Sequence, residues 1–331
     1  MTLCGRIEPA PMEPEDDLIA CSRSLRISLG MLDRLAPDTC AVLLMGETGT
    51  GKELLARRLH RGSGRRGQLV AVNCAGLRPE MADNLLFGHE RGAYTDARTS
   101  TVGYVRSADH GTLFLDEVSS LPPDSQANLL RALDRAELRP VGGDRVYRPD
   151  VRYVAAAQPA IRRAVEQREF REDLYQRLSA GIVTLAPLRE RPEDIIPIAE
   201  HFCRHEGVVL AAPSHAALLR YDWPGNVREL KSVILRARIV GDGPVIGQRE
   251  VSHAIEAGRI EGVGPVSAYL AQERQRLETL VAEARGDWRR LMALMQVSRS
   301  TLYRRLQEVG IVLKQPRHKV SQSFPGIPEK L

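Results

Sequence analysis

The chain has 331 residues, 43% hydrophobic and 27% charged, a composition typical of a soluble protein with apolar side chains for one large core or two to three modest ones. The N-terminal residues lack the basic start and apolar core of a signal peptide, and no run approaches the roughly 18 apolar residues that span a bilayer. The five cysteines are scattered and never spaced as C-x-x-C, which argues against a disulfide framework or a zinc site. We therefore expect a cytoplasmic protein with reduced thiols and no membrane partner.

Charge is distributed unevenly along the chain. The net charge is +5, yet residues 267–331 carry +6 and residues 1–266 carry −1. A charged stretch is usually a solvated face, so the basic C-terminal part indicates nucleic-acid binding only if a DNA-reading element lies within it.

The first half of the chain has the pattern of a parallel sheet with helices. Residues 1–17 are rich in proline and acidic residues and are predicted to be a tail, and a helical pattern begins at Leu18. Four apolar runs separated by helical sequence then predict buried parallel strands covered on both faces. These runs are CAVLLMG (40–46), LVAVNC (69–74), GTLFLDE (111–117) and VRYVAAA (151–157). The expected fold class is α/β.

The second half is predicted to be helical. Residues 187–255 have a helical pattern interrupted by the breakers PLRERPED and DWPGN. The glycine-rich segment 256–266 is predicted to be a linker, residues 267–313 a small all-α domain, and residues 314–331 a polar tail.

A phosphate-binding pattern follows the first apolar run. The sequence GETGTGK matches G-x-x-x-x-G-K directly after a strand and at the start of a helix. The glycines let backbone N–H groups turn toward phosphate oxygens, Lys52 supplies a cation, and the helix adds its positive end. Glu53 stands where serine or threonine usually contacts Mg²⁺. The residues predicted to bind the nucleotide phosphates are Gly46, Glu47, Thr48, Gly49, Thr50, Gly51, Lys52 and Glu53.

Two acidic residues end the third apolar run. Asp116 is predicted to hold Mg²⁺, directly or through water, and Glu117 to polarise the attacking water. Downstream of a phosphate loop, this pair predicts ATP hydrolysis by positioning and electrostatics rather than by covalent catalysis.

Five motifs in a fixed order point to one family. They are GETGTGKE (46–53), LLFGHERGAYTDA (85–97), GTLFLDE (111–117), FREDLYQRL (170–178) and WPGNVREL (223–230). With them, the sequence closely resembles the AAA+ core of bacterial enhancer-binding proteins, the ATPases that activate transcription by RNA polymerase carrying sigma-54. The resemblance covers about residues 18–255. It implies a P-loop α/β subdomain over 18–186, a helical lid over 187–255, the cofactors ATP and Mg²⁺, and tolerance of glutamate at position 53.

The resemblance also implies roles for residues outside the phosphate loop. Asn73 matches the residue that switches the catalytic Glu117 according to the nucleotide state. Arg171 and Arg177 match the arginines that reach the γ-phosphate of the neighbouring subunit, so activity implies a ring. The ring is expected to be a hexamer of this chain or a mixed assembly with a related subunit. Arg228 matches the sensor arginine of the lid, which reads the bound nucleotide.

The stretch GAYTDA corresponds to GAFTGA in the resembled family, the tip of a loop that rises on ATP binding and touches sigma-54. Tyr94 replaces phenylalanine and keeps the aromatic area, whereas Asp96 replaces glycine with a charged side chain of narrower backbone range. Two interpretations stay open: a working loop with altered strength or partner, and a loop that no longer engages sigma-54. The predicted contact residues are Gly92, Ala93, Tyr94, Thr95, Asp96 and Ala97.

Residues 267–313 predict three helices. The first is amphipathic, and GDWRRLMALMQVSRSTLYRRLQEVGI (286–311) predicts two short helices joined by a tight turn, with Asp287 and Ser298 as N-caps. This segment resembles the Fis-type helix-turn-helix that ends most enhancer-binding proteins, although Gln296 stands where the turn usually has glycine. The residues predicted to contact bases and phosphates are Arg299, Ser300, Thr301, Tyr303, Arg304 and Arg305.

Three functional hypotheses follow. The first is a DNA-bound ATPase that assembles at an upstream site and remodels sigma-54 polymerase at a closed promoter. The second is a sequence-specific DNA-binding regulator, such as a repressor, whose ATPase core only assembles subunits. Asp96 favours it, and so does Ala157, which stands where the family has threonine. An ATPase that loads DNA in replication is disfavoured, because the loop and the helix-turn-helix have no role there. Because about 20 residues precede the core, we expect no sensory domain and control by a separate regulatory protein, by expression level or by partner subunits.

Overall fold

The computed structural model describes residues 18–93, 99–241 and 243–258, and Leu277, Val281, Ala284 and Met292 as isolated positions. Several sequence predictions lie outside the described residues: the two tails, four of the six loop residues (94–97), and all six predicted DNA-contacting residues (299–301 and 303–305). Within the described part of the chain, no helix is long and apolar enough to cross a membrane.

A five-stranded parallel sheet forms the centre of the first part, with the strand order β2-β3-β4-β1-β5. The strands are β1 (Val42–Met45), β2 (Leu69–Asn73), β3 (Thr112–Asp116), β4 (Arg152–Ala157) and β5 (Gly181–Thr184). All four residues of β1 and all six of β4 are buried, which explains why these strands read as continuous apolar runs. The first four strands lie inside the four predicted runs, and the α/β fold class is confirmed. Burial was predicted for all four, but β2 lies at the edge of the sheet and only Val72 of its residues is buried.

The fifth strand was not predicted. Residues Gly181–Thr184 form β5 at the edge of the sheet, where they pair only with β1. Its four residues alternate between buried and less buried positions, so the segment lacks the uniformly apolar pattern of the central strands. Its place in the sheet depends on pairing with residues about 140 positions earlier, which a local pattern does not show.

Helices cover both faces of this sheet. They are α1 (Arg23–Leu35), α2 (Lys52–Gly62), α3 (Pro79–Phe87), α4 (Tyr104–Ser107), α5 (Pro123–Arg135), α6 (Ile161–Glu166) and α7 (Glu172–Leu178). On one face, Leu44 and Phe114 pack with Leu32 of α1 and Leu55 of α2. The alternate strand positions, such as Leu43 and Leu113, pack with residues of α3, α5, α6 and α7 on the other face. The period-two alternation of strand side chains thus produces a three-layer arrangement.

The chain after β5 forms a helical unit around its own core. Its elements are α8 (Pro192–His205), β6 (Val209–Leu210), α9 (Ser214–Leu219), α10 (Asn226–Val240), β7 (Val245–Ile246) and α11 (Gln248–Ala257). The two short strands, which were not predicted, pair in parallel. Trp223 is fully buried in this core, and its Nε1 donates to the carbonyl oxygen of Leu218 at 2.9 Å. We call this unit, residues 187–258, the lid.

The central strand β1 yields a stability prediction. Leu44→Ala removes a fully buried side chain between β1, α1 and α2, and we expect it to lower the free energy of unfolding by about 3 kcal/mol. Ile27→Ala is the matched control, because Ile27 is 60% exposed on α1 and its truncation should cost less than about 0.5 kcal/mol. Urea denaturation followed by circular dichroism measures both. Equal effects of the two substitutions would contradict the described packing.

Candidate functional site

The phosphate-binding pattern forms the loop between β1 and α2. The Gly46 N–H donates to the carbonyl oxygen of Ala157 at 3.1 Å, which ties the loop to the end of β4. Gly49 and Gly51 have φ angles of 78° and 105°, a region that favours glycine. A Cβ atom on Gly49 would also collide with the carbonyl oxygen of Gly225 in the lid. Two of the motif glycines are therefore required by backbone conformation, and Gly49 also by close approach of the lid.

Lys52 begins α2 and is 8% exposed. Its Nζ donates to the carbonyl oxygens of Gly46 and Glu47, both at 2.9 Å. Burial lowers the pKa of this ammonium group, and the charges of Asp116 and Glu117 oppose that shift. The cation is thus held over the phosphate loop and within electrostatic range of both carboxylates.

The two acidic residues and Asn73 lie at the carboxyl ends of neighbouring strands. Asp116 ends β3 and is the register partner of Asn73, which ends β2. Glu117 follows in the left-handed conformation (φ 51°, ψ 47°), and its N–H donates to Asp116 Oδ1 at 3.0 Å. The side-chain oxygen of Asn73 accepts a hydrogen bond from the Ala75 N–H at 2.9 Å, so Asn73 caps the short 3₁₀ turn after β2. Ligands of open α/β sheets bind at such carboxyl ends.

A cavity of about 300 Å³ lies between this edge of the sheet and the lid. Its walls carry the cations Lys52, Arg228 and Lys231 and the anions Glu53, Asp116 and Glu117. This mixture suits a polyanion together with a divalent cation. The lining residues are Thr48, Gly49, Gly51, Lys52, Glu53, Asn73, Asp116, Glu117, Phe202, Val227, Arg228 and Lys231.

A smaller and mostly apolar cavity of about 60 Å³ adjoins the first and shares Gly51, Phe202 and Val227 with it. Its other lining residues are Leu18, Ile19, Leu25, Thr50, Leu54, Arg191, Ile198 and His201. Apart from Thr50, the sequence analysis did not assign these residues to a site. They come from the segment before α1, from α1, from the phosphate loop, from α2 and from the lid, so no single stretch of sequence carries the signal. The slot has the chemistry to accept a flat aromatic ring beside the phosphate loop.

The remaining predicted site residues occupy three different places. Arg228 lines the cavity between sheet and lid, whereas Arg171 and Arg177 do not; Arg177 lines a separate cavity of about 450 Å³. Arg171 donates to both carboxylate oxygens of Asp173, at 3.0 and 2.7 Å, and Arg177 Nε lies 3.0 Å from Asp134 Oδ1. Both arginine side chains are about half exposed, at 47% and 54%. Both arginine side chains therefore lie at the surface of the sheet-containing part of the chain, outside the cavity between sheet and lid.

Backbone hydrogen bonds join the described residues on the two sides of the predicted contact loop, and we call these paired residues the stem. His89 and Thr101 exchange two backbone hydrogen bonds, at 3.2 and 2.9 Å, and the Val141 N–H donates to the carbonyl oxygen of Gly88 at 2.9 Å. Gly88 has a φ angle of 83°, and a Cβ atom there would collide with the carbonyl oxygen of Thr101. Gly92 has a φ angle of 86° in open space. Gly88 is needed where the two chain segments of the stem approach each other. Gly92 has a backbone conformation that favours glycine just before the tip.

Comparison with known families decides what this arrangement is. The family described as Sigma-54 interaction domain matches residues 18–184, and the AAA+ ATPase lid domain matches residues 189–263. The chain belongs to the Sigma-54 interaction domain family. Its parallel sheet, phosphate loop and lid are therefore those of an AAA+ protein of this family.

Known members of this Sigma-54 interaction domain family resemble the chain over most of its length. "Sigma54-dependent transcriptional activator SfnR" of Pseudomonas putida is 44% identical over 229 residues, covering 66% of this chain and 63% of that protein. "DNA-binding transcriptional activator HyfR" of Escherichia coli is 36% identical over 325 residues, covering 90% and 48%. The chain thus spans about half to two thirds of the length of these relatives. NtrX from Brucella abortus in complex with ADP has a TM-score of 0.67 and 29% identity, covering 89% of this chain and 70% of that one.

The thiol of Cys74, beside Asn73, provides a test of how closed the site edge is. Burial raises the pKa of Cys74 to about 12, and the nearby Asp116 and Glu117 add to the shift. We expect iodoacetamide at pH 8 to modify Cys74 at least about tenfold more slowly than the exposed Cys21, because the thiolate is the reactive form. Peptide mass spectrometry measures both rates, and the difference should vanish in urea. Equal rates in the folded protein would contradict the burial of Cys74.

Proposed function

We propose that this chain is a sigma-54-dependent transcriptional activator that binds ATP and Mg²⁺ in the cavity between sheet and lid. ATP hydrolysis would drive remodelling of the closed promoter complex of sigma-54 RNA polymerase. The observation that carries the proposal is the convergence of Lys52, Asp116 and Glu117 on one cavity at the carboxyl edge of the sheet. Membership of the Sigma-54 interaction domain family supports the choice of partner.

Each part of ATP has a matching surface. The loop amides, Lys52 and the N-terminus of α2 would bind the phosphates, and the adjoining apolar slot beside Phe202 would take the adenine ring. The carboxylate oxygens of Asp116 are the donors that Mg²⁺ prefers, and the Glu117 N–H orients one of them. When bound, Mg²⁺ would neutralise charge on the phosphate oxygens. That NtrX was crystallised with ADP and with ATP supports nucleotide binding at this fold position.

Hydrolysis would require a second subunit. Glu117 would polarise the attacking water, and Asn73 would position Glu117 according to the nucleotide state. Arg171 and Arg177 would leave their own carboxylate partners and reach the γ-phosphate of the neighbouring chain, where their charge stabilises the transition state. Both arginines are exposed and neither lines the cavity between sheet and lid, which supports action across a subunit boundary in a ring. We infer that the ring is hexameric.

Contact with polymerase and DNA would occur at two other regions. The tip that follows Gly92 would contact sigma-54, and the described residues that flank it are joined by backbone hydrogen bonds at Gly88 and Thr101. Residues 267–313 would bind an upstream DNA site through a helix-turn-helix. The basic charge of that segment and the similarity to a relative described as a DNA-binding activator support this assignment.

The alternative function is a DNA-binding regulator that does not engage sigma-54. Asp96 in the loop tip favours it, because a charge replaces glycine at the contact. Ala157 favours it less than the sequence indicates: the hydrogen bond between β4 and the phosphate loop uses the Ala157 carbonyl oxygen and so survives loss of the side-chain hydroxyl. In addition, Gln158 Nε2 donates to Thr48 Oγ1 at 3.1 Å, which keeps this strand end in contact with the loop.

Two substitutions separate nucleotide binding from hydrolysis. We expect Lys52→Ala to weaken binding of a fluorescent ADP analogue at least about 100-fold, since it removes the cation at the phosphates. Glu117→Gln should leave that affinity within about threefold of the native protein and lower the rate of phosphate release by about 10²- to 10⁴-fold. Glu80→Gln, an exposed residue of α3, serves as the control for charge removal. Native-like hydrolysis by Glu117→Gln would exclude the proposed catalytic role.

The partner is tested by native gel electrophoresis of the full chain with sigma-54, with and without ADP and aluminium fluoride. A complex that forms only with this transition-state mimic is expected, because ATP-dependent loop movement would expose the tip. Asp96→Gly should strengthen the complex by about threefold or more, since it restores backbone freedom and removes a charge. Asp144→Gly, in the neighbouring loop, is the matched control. If neither the native protein nor Asp96→Gly forms a complex while specific DNA is still bound, the alternative function holds instead.

A further inference from the structure

The carbonyl oxygens of the phosphate loop are all engaged by donors, beginning with donors from the loop itself. Lys52 Nζ donates to the oxygens of Gly46 and Glu47, and Thr50 Oγ1 also donates to that of Glu47 at 2.8 Å. These contacts stay within the seven residues 46–52.

The next two carbonyl oxygens are engaged by the start of α10 in the lid. Asn226 Nδ2 donates to the oxygen of Thr48 at 3.1 Å. The N–H groups of Val227 and Arg228 donate to the oxygen of Gly49, at 2.9 and 3.3 Å. Asn226 is fully buried and lies in the breaker DWPGN, and the sequence analysis did not assign it to the nucleotide site.

The fifth carbonyl oxygen is engaged by a buried arginine. Arg191 Nη2 donates to the oxygen of Thr50 at 2.9 Å, and the side chain of Arg191 is 3% exposed. Asp194, which is fully buried on α8, lies 3.7 Å from Arg191 and accepts hydrogen bonds from the N–H groups of Cys21 and Ser22 and from Ser22 Oγ. Burial lowers the pKa of Arg191 and the charge of Asp194 opposes that shift. One buried network therefore connects the segment before α1, the lid and the phosphate loop.

The geometry of the peptide bond gives these contacts a consequence. In a trans peptide the C=O and the following N–H point in opposite directions. Because lid donors hold the oxygens of residues 48, 49 and 50, the N–H groups of residues 49, 50 and 51 are turned away from those donors. Inward-turned N–H groups are what binds phosphate in a loop of this kind. The lid thus controls the orientation of the anion-binding groups.

We propose that the lid assembles the phosphate-binding loop, with Arg191 and Asn226 as positioning residues that hold the Thr50 and Thr48 peptides. The inference rests on the proposed function, because it takes the cavity to bind nucleotide. Neither residue needs to touch the nucleotide phosphates. Since coupling is reciprocal, phosphate binding also stabilises the docked lid. Through Asp194 it also stabilises the hydrogen bonds that hold Ser22 before α1.

The test compares ADP with AMP, which lacks the β-phosphate. Binding of each to the full chain is measured by competition with a fluorescent ADP analogue in the presence of Mg²⁺. Arg191→Met should raise the Kd for ADP about tenfold and that for AMP less than about twofold. The ratio of the Kd for AMP to the Kd for ADP therefore falls. A general loss of structure, or damage to the apolar slot that Arg191 also lines, would weaken both nucleotides alike. Asp194 keeps its three other donors in this variant, which favours folding.

Asn226→Asp provides an independent second variant. It keeps the oxygen that accepts from the Leu188 N–H and removes the Nδ2 donor both to the Thr48 carbonyl oxygen and to Glu47 Oε2, so the same fall in the ratio is expected. The control is Arg238→Met, which breaks the Arg238–Glu206 ion pair of the lid, 2.9 Å long and remote from the loop; its ratio should equal that of the native protein. An unchanged ratio in either folded loop variant overturns the inference alone. Failure of the native chain to bind ADP would instead refute the nucleotide site itself.

Discussion

Parallel pairing in one register is the constraint on which the candidate site depends. Because all five strands run in the same direction, the ends of β1, β2, β3 and β4 lie along one edge. That edge carries the phosphate loop, Asn73, the Asp116–Glu117 pair and Gln158. The register pairs Asn73 with Asp116 and Met45 with Ala157, which places a polar residue or a loop at the end of each strand. Parallel pairing of the apolar strands thus brings the polar residues that follow them together at one edge of the sheet.

The junction between sheet and lid contains buried polar groups that pair across elements. Burying an isolated charge is costly, whereas Arg191, Asp194 and Lys52 each have partners from another element or from the loop. Glu47 illustrates the same arrangement closer to the surface: Arg189 donates to both of its oxygens, at 2.9 and 2.6 Å, and Asn226 to one of them, at 3.1 Å. Removing one partner from such a junction leaves another buried polar group without its hydrogen bond. The pairs therefore favour one docked position of the lid.

The departures from the family pattern differ in what they affect. Ala157 lies at the end of β4, where the backbone alone maintains contact with the phosphate loop, so a missing hydroxyl leaves the frame intact. Asp96 lies outside the described residues; in sequence it falls between His89 and Thr101, whose backbone groups pair with each other. Under the proposed function, a change at Asp96 would therefore alter the contact with sigma-54 without altering the cavity. Both functional hypotheses are compatible with the same nucleotide cavity.

Local sequence determined the central strands, the phosphate loop and the residues at the strand ends, because burial on both faces and glycine-dependent turns leave patterns within a few positions. The order of the motifs was sufficient to indicate the family that the comparison confirms. Only the tertiary structure decided the place of β5, the apolar slot and the roles of Arg191 and Asn226 at the loop. Arg191 and Thr50 are 141 positions apart, and Asn226 and Thr48 are 178 apart. Contacts over such separations depend on how whole elements pack, and no periodicity or turn signal encodes which carbonyl oxygen a distant donor will reach.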